Sequence, residues 1–257
     1  MPHRKSGLLR RGLLALLAVL LGAVPCALLA ADLSFPGGQL SLGEGGQGLS
    51  TPVRLLLILT VLSLAPSILV VVTSFTRIIV VLAMLRQGLG MPETPPNVVL
   101  VSLALFLTIF TMAPVWTDIN QNALQPYSTG AIDEQQFAQQ ALGPLRRFMA
   151  AQVREKDLRL VLELAKIDVP GKLEDVQTMH LVPAFMMSEL RKAFEIGFVL
   201  FLPFVLIDII VASVLMALGM IMVPPLAFSL PLKILLFVLI DGWALLSAAL
   251  VKSFVPV

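Results

Sequence analysis

Four long apolar segments dominate the pattern of hydrophobic and polar positions along this chain. They cover residues 53–85, 97–116, 194–223 and 228–254. A helix needs about 20 apolar residues to cross a bilayer, so each segment is long enough to be a membrane helix. The pattern therefore predicts an all-α membrane protein with two long hydrophobic helical hairpins, residues 53–116 and 183–257.

Prolines and glycines mark where these helices are expected to bend or turn. Pro66 and Pro203 lie inside the first and third segments. A proline ring removes one helical hydrogen bond, so we expect kinked or broken helices at both positions. Residues 86–96 and the pair Pro224-Pro225 are turn-rich and predict the connections within the two hairpins.

The N-terminus has the three-part layout of a secretory signal. Four of the 18 basic residues stand in the first eleven positions, and an apolar stretch and then small residues follow them. We predict a signal peptide over residues 1–31 that is cleaved; an uncleaved anchor helix over 13–30 is the alternative. Residues 32–52 are glycine-rich and predict a flexible linker outside the cytoplasm.

Residues 117–182 form the extended polar portion of the chain. Apolar residues recur there at near-helical spacing with charged residues between them, which predicts about two amphipathic helices. Gly143-Pro144 is expected to separate these helices, and Pro170-Gly171 is expected to end the second. A translocated N-terminus followed by two membrane crossings would place this small helical domain on the extracytoplasmic side.

Composition narrows the class and the chemistry. Hydrophobic residues make up 58% of the 257 residues and charged residues 13%, with a mean hydropathy of +0.94. These values are typical of an integral membrane protein. Beyond the N-terminus no basic patch suggests nucleic acid as a partner. Cys26 is the only cysteine, which excludes an intrachain disulfide. No nucleophile with its base, phosphate-binding loop or metal-ligand cluster is apparent, so we predict no enzyme activity and no cofactor.

Charged residues inside the apolar segments are costly in lipid and need a specific reason. They are Arg77, Asp208, Lys233 and Asp241. Arg77 either snorkels to the membrane surface or pairs with a carboxylate, for which Asp208 and Asp241 are the candidates. The two carboxylates either form a proton relay or hold the assembly as buried partners of Arg77 or Lys233. We favour the structural role, because one carboxylate per helix without a second acid or histidine is weak support for a pump.

Methionines cluster just before Pro224, at Met216, Met220 and Met222, with Ile221 among them. One interpretation is ordinary packing in a hydrophobic helix. The other uses the flexible, polarizable thioether: such side chains can seal a pore against small solutes and still yield to a chain passing through it.

Several ordered motifs give the chain a family resemblance. Phe75-Thr76-Arg77 lies in the first segment, and the remaining motifs run from Pro183 to Trp243. Their marker residues are Pro183, Phe185, Glu189, Phe194, Glu195, Gly197, Pro203, Pro224, Pro225, Pro231, Gly242 and Trp243. Over roughly residues 50–257 the chain closely resembles the FliP family of flagellar type III export proteins, whose virulence-system counterparts are called SctR.

The resemblance implies an export-gate subunit at the base of the flagellum, in the bacterial inner membrane. Several copies would assemble with FliQ and FliR, beside other export-apparatus membrane proteins and lipid, into a closed channel for unfolded flagellar proteins. The bent hairpins would rise toward the periplasm, with residues 117–182 on that side. The family's methionine ring would map onto Met216, Met220 and Met222, with Ile221 where a further methionine is often found. The alternatives are a proton-coupled small-solute transporter using Asp208 and Asp241, and a scaffold that never lines a pore.

Overall fold

A computed structural model of the chain describes residues 59–60, 63–64, 67–68, 70–167, 176–220 and 222–254. The chain divides into two units, residues 1–67 and 68–257. Within the first unit, helical turns are described at 59–60 and 63–64, and the Ser63 hydroxyl donates to the carbonyl of Thr60 (2.8 Å). The predicted signal peptide 1–31, linker 32–52 and kink at Pro66 lie outside the described residues.

The second unit consists of helices, and its described residues contain no strand. In chain order the helices are α1 Phe75–Gly88, α2 Asn97–Ile119, a π-helical turn Asn120–Leu124, α3 Gln125–Ser128, α4 Glu134–Gln152, α5 Glu155–Leu164, α6 Thr178–Ala217, α7 Leu226–Leu239 and α8 Gly242–Lys252. The predicted all-α membrane class is confirmed in this coarse form.

Within the first predicted hairpin (53–116), the described residues contain α1 and most of α2, which pack together. A turn at residues 72–74 precedes α1, where the Thr73 hydroxyl accepts from the N–H of Phe75 (3.4 Å) and donates to the carbonyl of Val70 (3.2 Å). The second helix extends well beyond the predicted end at residue 116. It continues through the π-helical turn and α3, so that 32 residues from Asn97 to Ser128 form one helical span.

The polar middle portion forms α4 and α5, but the predicted break between them was wrong. α4 runs through Gly143-Pro144 without interruption, and the chain becomes extended only at Val153 and Arg154. One interior proline removes a single hydrogen bond, a cost that packing on α6 offsets here. α5 ends at Leu164 with a left-handed Lys166 (φ 55°), before the predicted stop at 170–171, which lies outside the described residues.

α6 is a single helix of 40 residues that passes through both Pro183 and Pro203. At 1.5 Å per residue it is about 60 Å long, twice the ~30 Å thickness of a bilayer's hydrocarbon core. It begins at Thr178, before the predicted start of the second hairpin, and ends at Ala217.

The fourth apolar segment forms two helices rather than one. α7 and α8 meet at a bend of 65°, where Asp241 adopts a left-handed conformation (φ 51°). The described residues thus hold two helices long and apolar enough to cross a membrane, or three if this bent pair is one span. The four-segment arrangement stays a prediction, because residues 53–69 of the first segment are described only in part.

The core forms where α1 packs against α6, with α2, α4, α5 and α8 around them. The inner face of α1 contributes Ile78, Val81 and Leu82, all fully buried. Gly197 of α6 lies against Met84 of α1, where even a β-carbon would overlap the thioether. This absence of a side chain lets the two helices approach closely.

Candidate functional site

The residues from Met216 to Pro225, which we call the methionine loop, join the end of α6 to the start of α7. The N–H of Gly219 donates to the carbonyl of Met216 (3.0 Å), and the N–H of Met220 donates to that of Leu215 (2.9 Å). These two bonds form a Schellman cap, which needs a left-handed residue at its turn. Gly219 supplies it with φ +78°, a conformation that glycine adopts at little steric cost. The helix therefore stops between the predicted gate residues.

Three methionine side chains of this loop are exposed on the isolated chain. The exposed fraction is 64% for Met216, 38% for Met220 and 98% for Met222. Ile221, the fourth predicted gate residue, lies outside the described residues. Because thioether side chains rotate and polarise easily, these three can adapt to whatever surface faces them.

Pro224 and Pro225 fix the other end of the loop. Their carbonyls accept the first hydrogen bonds of α7, from the N–H of Ala227 (3.2 Å) and of Ser229 (3.0 Å) respectively. A proline ring presets the backbone for a helix start. The backbone is thus held on both sides, whereas the methionine side chains are exposed.

Arg77 is the centre of a buried polar cluster, which we call the Arg77 node. Its guanidinium is fully buried and pairs with the equally buried Glu189 through Nε (2.8 Å to Oε2) and through Nη2 to Oε1. Nη1 donates to the carbonyl and hydroxyl of Ser253 (2.9 and 3.0 Å), and Nη2 also donates to Gln152 Oε1 (3.3 Å). The guanidinium lies over the ring of Phe254 at 3.7 Å. All five of its donors are therefore satisfied.

The node corrects one sequence-based hypothesis. Arg77 does pair with a carboxylate inside the protein, but that carboxylate is Glu189; neither Asp208 nor Asp241 contacts it. Glu189 was singled out only as a family motif residue. The signal that could have identified it is an acidic residue one position after Ser188, within a short polar stretch of an otherwise apolar helix.

A second polar contact joins α6 to the junction between α4 and α5. The Ser188 hydroxyl donates to Asp157 Oδ2 (2.7 Å) and accepts from the N–H of Arg154 (3.0 Å), where α5 begins. Lys192 Nζ donates to the carbonyl of Gln152 at the end of α4 (2.9 Å). These partners were not predicted from the sequence, because they stand 31 to 40 positions apart and no local pattern links them.

Lys233 and Asp208 meet between α7 and α6. Lys233 Nζ donates to Asp208 Oδ2 (2.6 Å) and to the carbonyl of Gly88 (3.2 Å) at the end of α1. Lys233 is buried, whereas the Asp208 side chain is 41% exposed. The sequence offered this pairing as one alternative, and the structure contains it.

Asp241 stands apart from these clusters. It is exposed at the bend between α7 and α8, and within the described part of the chain its carboxylate contacts no basic group. It precedes the first turn of α8, where the helix dipole favours a negative charge.

The other motif residues mostly support packing. Phe185 is fully buried and meets Phe148 edge-on, with ring centroids 5.9 Å apart. Trp243 meets Phe237 edge-on at 5.3 Å, beside the buried Gly242. Phe194 is exposed on α6.

The remaining motif residues include one ion pair and three interior prolines. Glu195 pairs with Arg154 at 3.0 Å on the surface. Pro183 and Pro203 lie inside α6, and Pro231 lies inside α7.

Comparisons with known proteins add an independent observation. Residues 58–250 match the FliP family. The chain is 50% identical over 208 residues to "Flagellar biosynthetic protein FliP" of Bacillus subtilis (strain 168), which covers 81% of this chain and 94% of that protein. The Caulobacter vibrioides protein of the same name is 45% identical over 235 residues, covering 91% and 88%. The protein of that name from Aquifex aeolicus (strain VF5) is 46% identical over 221 residues, covering 85% and 92%.

Proposed function

The chain belongs to the FliP family, and on that premise we propose that it is a gate subunit of the flagellar type III protein export apparatus. The relatives are named flagellar biosynthetic proteins, which supports a role in flagellar export. The gate is a normally closed channel that this chain builds with further copies of itself and with FliQ and FliR. Unfolded flagellar proteins pass through it.

The methionine loop is the observation that carries this function. Its backbone is fixed by the Gly219 cap and by Pro224-Pro225, while Met216, Met220 and Met222 stay exposed. A pore that passes unfolded chains must fit many side-chain shapes, and flexible thioethers can repack around each of them. Without substrate the same side chains close on one another and exclude water and ions.

Exposed apolar surface supports assembly inside a membrane. α6 carries large exposed hydrophobic side chains along most of its length, among them Phe194, Phe198, Leu206 and Met216. Such surface requires lipid or neighbouring subunits around it. Because α6 is about twice as long as a bilayer core is thick, an upright α6 extends well beyond the hydrocarbon core.

The membrane is the bacterial inner membrane at the flagellar basal body. If residues 1–31 act as a signal peptide, residues 117–182 lie on the periplasmic side. A cysteine introduced in α5 should then react with a membrane-impermeant maleimide from the periplasm, and Cys26 is the only native cysteine to remove. Labelling only after the inner membrane is opened would contradict this orientation.

The gate function is tested by replacing Met216, Met220 and Met222 together with Ala in the full-length chain. The export complex with FliQ and FliR is reconstituted in liposomes, and potassium efflux is measured. We expect a leak, because the shorter side chains no longer meet. The matched control replaces Met179 and Met187, two exposed methionines elsewhere on α6, with Ala. Equal tightness of both variants would instead favour a scaffold that never lines a pore.

A proton-coupled transporter would need Asp208 and Asp241 as proton carriers. Asp208 is paired with Lys233 at 2.6 Å, an arrangement that holds helices together. Replacing both aspartates with Asn separates the two functions. Loss of coupled uptake with intact assembly would indicate a transporter, whereas a change in assembly or sealing indicates a structural role.

A further inference from the structure

We propose that Asp208, Lys233 and the carbonyl of Gly88 form a clasp that positions the methionine loop in its closed arrangement. This inference rests on the proposed gate function. The three residues lie outside the methionine loop, and we infer that they nevertheless affect how tightly the gate closes. They are positioning residues, which act through the helices that carry the loop.

The clasp joins three helices through one side chain. Lys233 of α7 donates to Asp208 of α6 (2.6 Å) and to the carbonyl of Gly88 (3.2 Å), the last residue of α1. The carbonyls at a helix C-terminus carry partial negative charge and lack helical partners, so an ammonium group is well placed there. Lys233 is buried, and removing an ammonium group from water is unfavourable. These two acceptors offset that cost.

The clasp lies close to the loop on both sides. Asp208 is nine residues before the end of α6, and Lys233 is eight residues after Pro225. At 1.5 Å per residue, both positions are about 12–14 Å from the points where the helices end. One turn farther from the loop, the rings of Phe204 and Phe237 meet at 6.4 Å. These contacts therefore fix the spacing between α6 and α7 a few helical turns before the two helices reach the methionine loop.

The connection between α1 and α2 supports the start of α7. A β-carbon on Gly90 would lie 3.2 Å from Leu226 and 3.5 Å from Leu230, so this turn rests directly on the first two turns of α7. Arg86 holds the connection itself, because its Nη1 donates to the carbonyl of Pro95 (3.2 Å) and to Asn97 Oδ1 (2.7 Å). The connection between α1 and α2 thus supports α7, the helix that follows the methionine loop.

These contacts give the loop a fixed base, while its methionine side chains are exposed. The cap at Gly219 and Pro224-Pro225 sets the local backbone, and the clasp sets the distance between the two helices that carry it. Breaking the clasp releases the helix ends, so that methionines of adjacent loops meet less closely. The closed gate then leaks although every methionine is present.

The test uses the full-length chain in the reconstituted complex with FliQ and FliR, with potassium efflux as the measurement. Asp208→Asn and Lys233→Met each remove one charge while nearly keeping side-chain volume. We expect efflux to rise roughly tenfold, a modest factor because Asp208 is partly exposed and such pairs contribute less than fully buried ones. Asp208→Glu keeps the carboxylate, so its potassium efflux should stay close to that of the parent. The matched control, Glu155→Gln, breaks the exposed Arg159–Glu155 pair on α5 and should leave efflux unchanged.

A second measurement covers variants that assemble poorly. A spin label at Met222→Cys, in a Cys26→Ser background, reports loop mobility directly, and Asp208→Asn should increase it. If Asp208→Asn shows the same efflux and loop mobility as the parent, the clasp proposal is wrong. If the triple methionine variant leaks in that case, the proposed gate function is still supported. If the triple methionine variant stays sealed, the gate function itself is contradicted, and the mobility result still decides whether the clasp positions the loop.

Discussion

Replacing Arg77 with Met should strongly destabilise the folded chain. The substitution keeps a flexible stem of similar length but removes the guanidinium and its five hydrogen bonds. Glu189 then stays fully buried without its partner. The contact with the ring of Phe254 is lost as well.

The magnitude follows from the burial of the pair. Removing one partner of a buried ion pair costs about 3–5 kcal/mol, because it leaves an uncompensated charge away from water. Removing both charges avoids that penalty. The double variant Arg77→Met, Glu189→Met should therefore be more stable than the sum of the two single effects predicts, by about 2 kcal/mol or more.

The measurement is the free energy of unfolding in mixtures of SDS and dodecyl maltoside, followed by the fluorescence of Trp116 and Trp243. Arg159→Met is the matched control, since it breaks an exposed pair on α5 and should cost less than about 1 kcal/mol. An Arg77→Met cost no larger than that of Arg159→Met would contradict the burial of the pair as the cause. Simple addition of the effects of the two node substitutions would contradict it as well.

Two further substitutions test the loop and the helix junction. Gly219→Ala should cost about 1–2 kcal/mol, because alanine pays for the left-handed conformation that closes the cap, whereas Gly219→Asn should cost less. Melting temperatures of the purified complex compare the two, and equal values would argue against the cap. Ser188→Ala should cost about 1–3 kcal/mol, since it removes the hydrogen bonds to Asp157 Oδ2 and to the N–H of Arg154. We expect faster hydrogen exchange at the start of α5 in this variant. Unchanged exchange there would contradict a stabilising role for the Ser188 contact.

The sequence predicted the helical membrane class because long apolar segments leave few other structures possible in lipid. Exact helix ends were harder to predict. Gly143-Pro144 looks like a break, yet α4 continues through it, because tertiary packing outweighs one missing hydrogen bond. The sharper interruption at Asp241 was not predicted: Asp241-Gly242 is a turn signal, but the long apolar run around it favoured one continuous helix.

The two halves of the candidate site differed in how readily they could be predicted. The methionine loop was predictable because glycine and two prolines act locally on the backbone beside the methionines. The partner of Arg77 was not, because Glu189 is 112 residues away and any acidic residue in an apolar helix was an equal candidate. Only the packing of α1 on α6 decides between them.

α6 joins the Arg77 node to the methionine loop as one continuous helix. Glu189 and Met216 are 27 positions apart on it, a distance of about 40 Å at 1.5 Å per residue. If the node acts as a pivot, a tilt of about 5° displaces the methionine end by roughly 3.5 Å, which is close to the diameter of a methyl group. In the proposed gate, an angular change too small to break the packing at the node would therefore alter the width of the opening between the methionine loops.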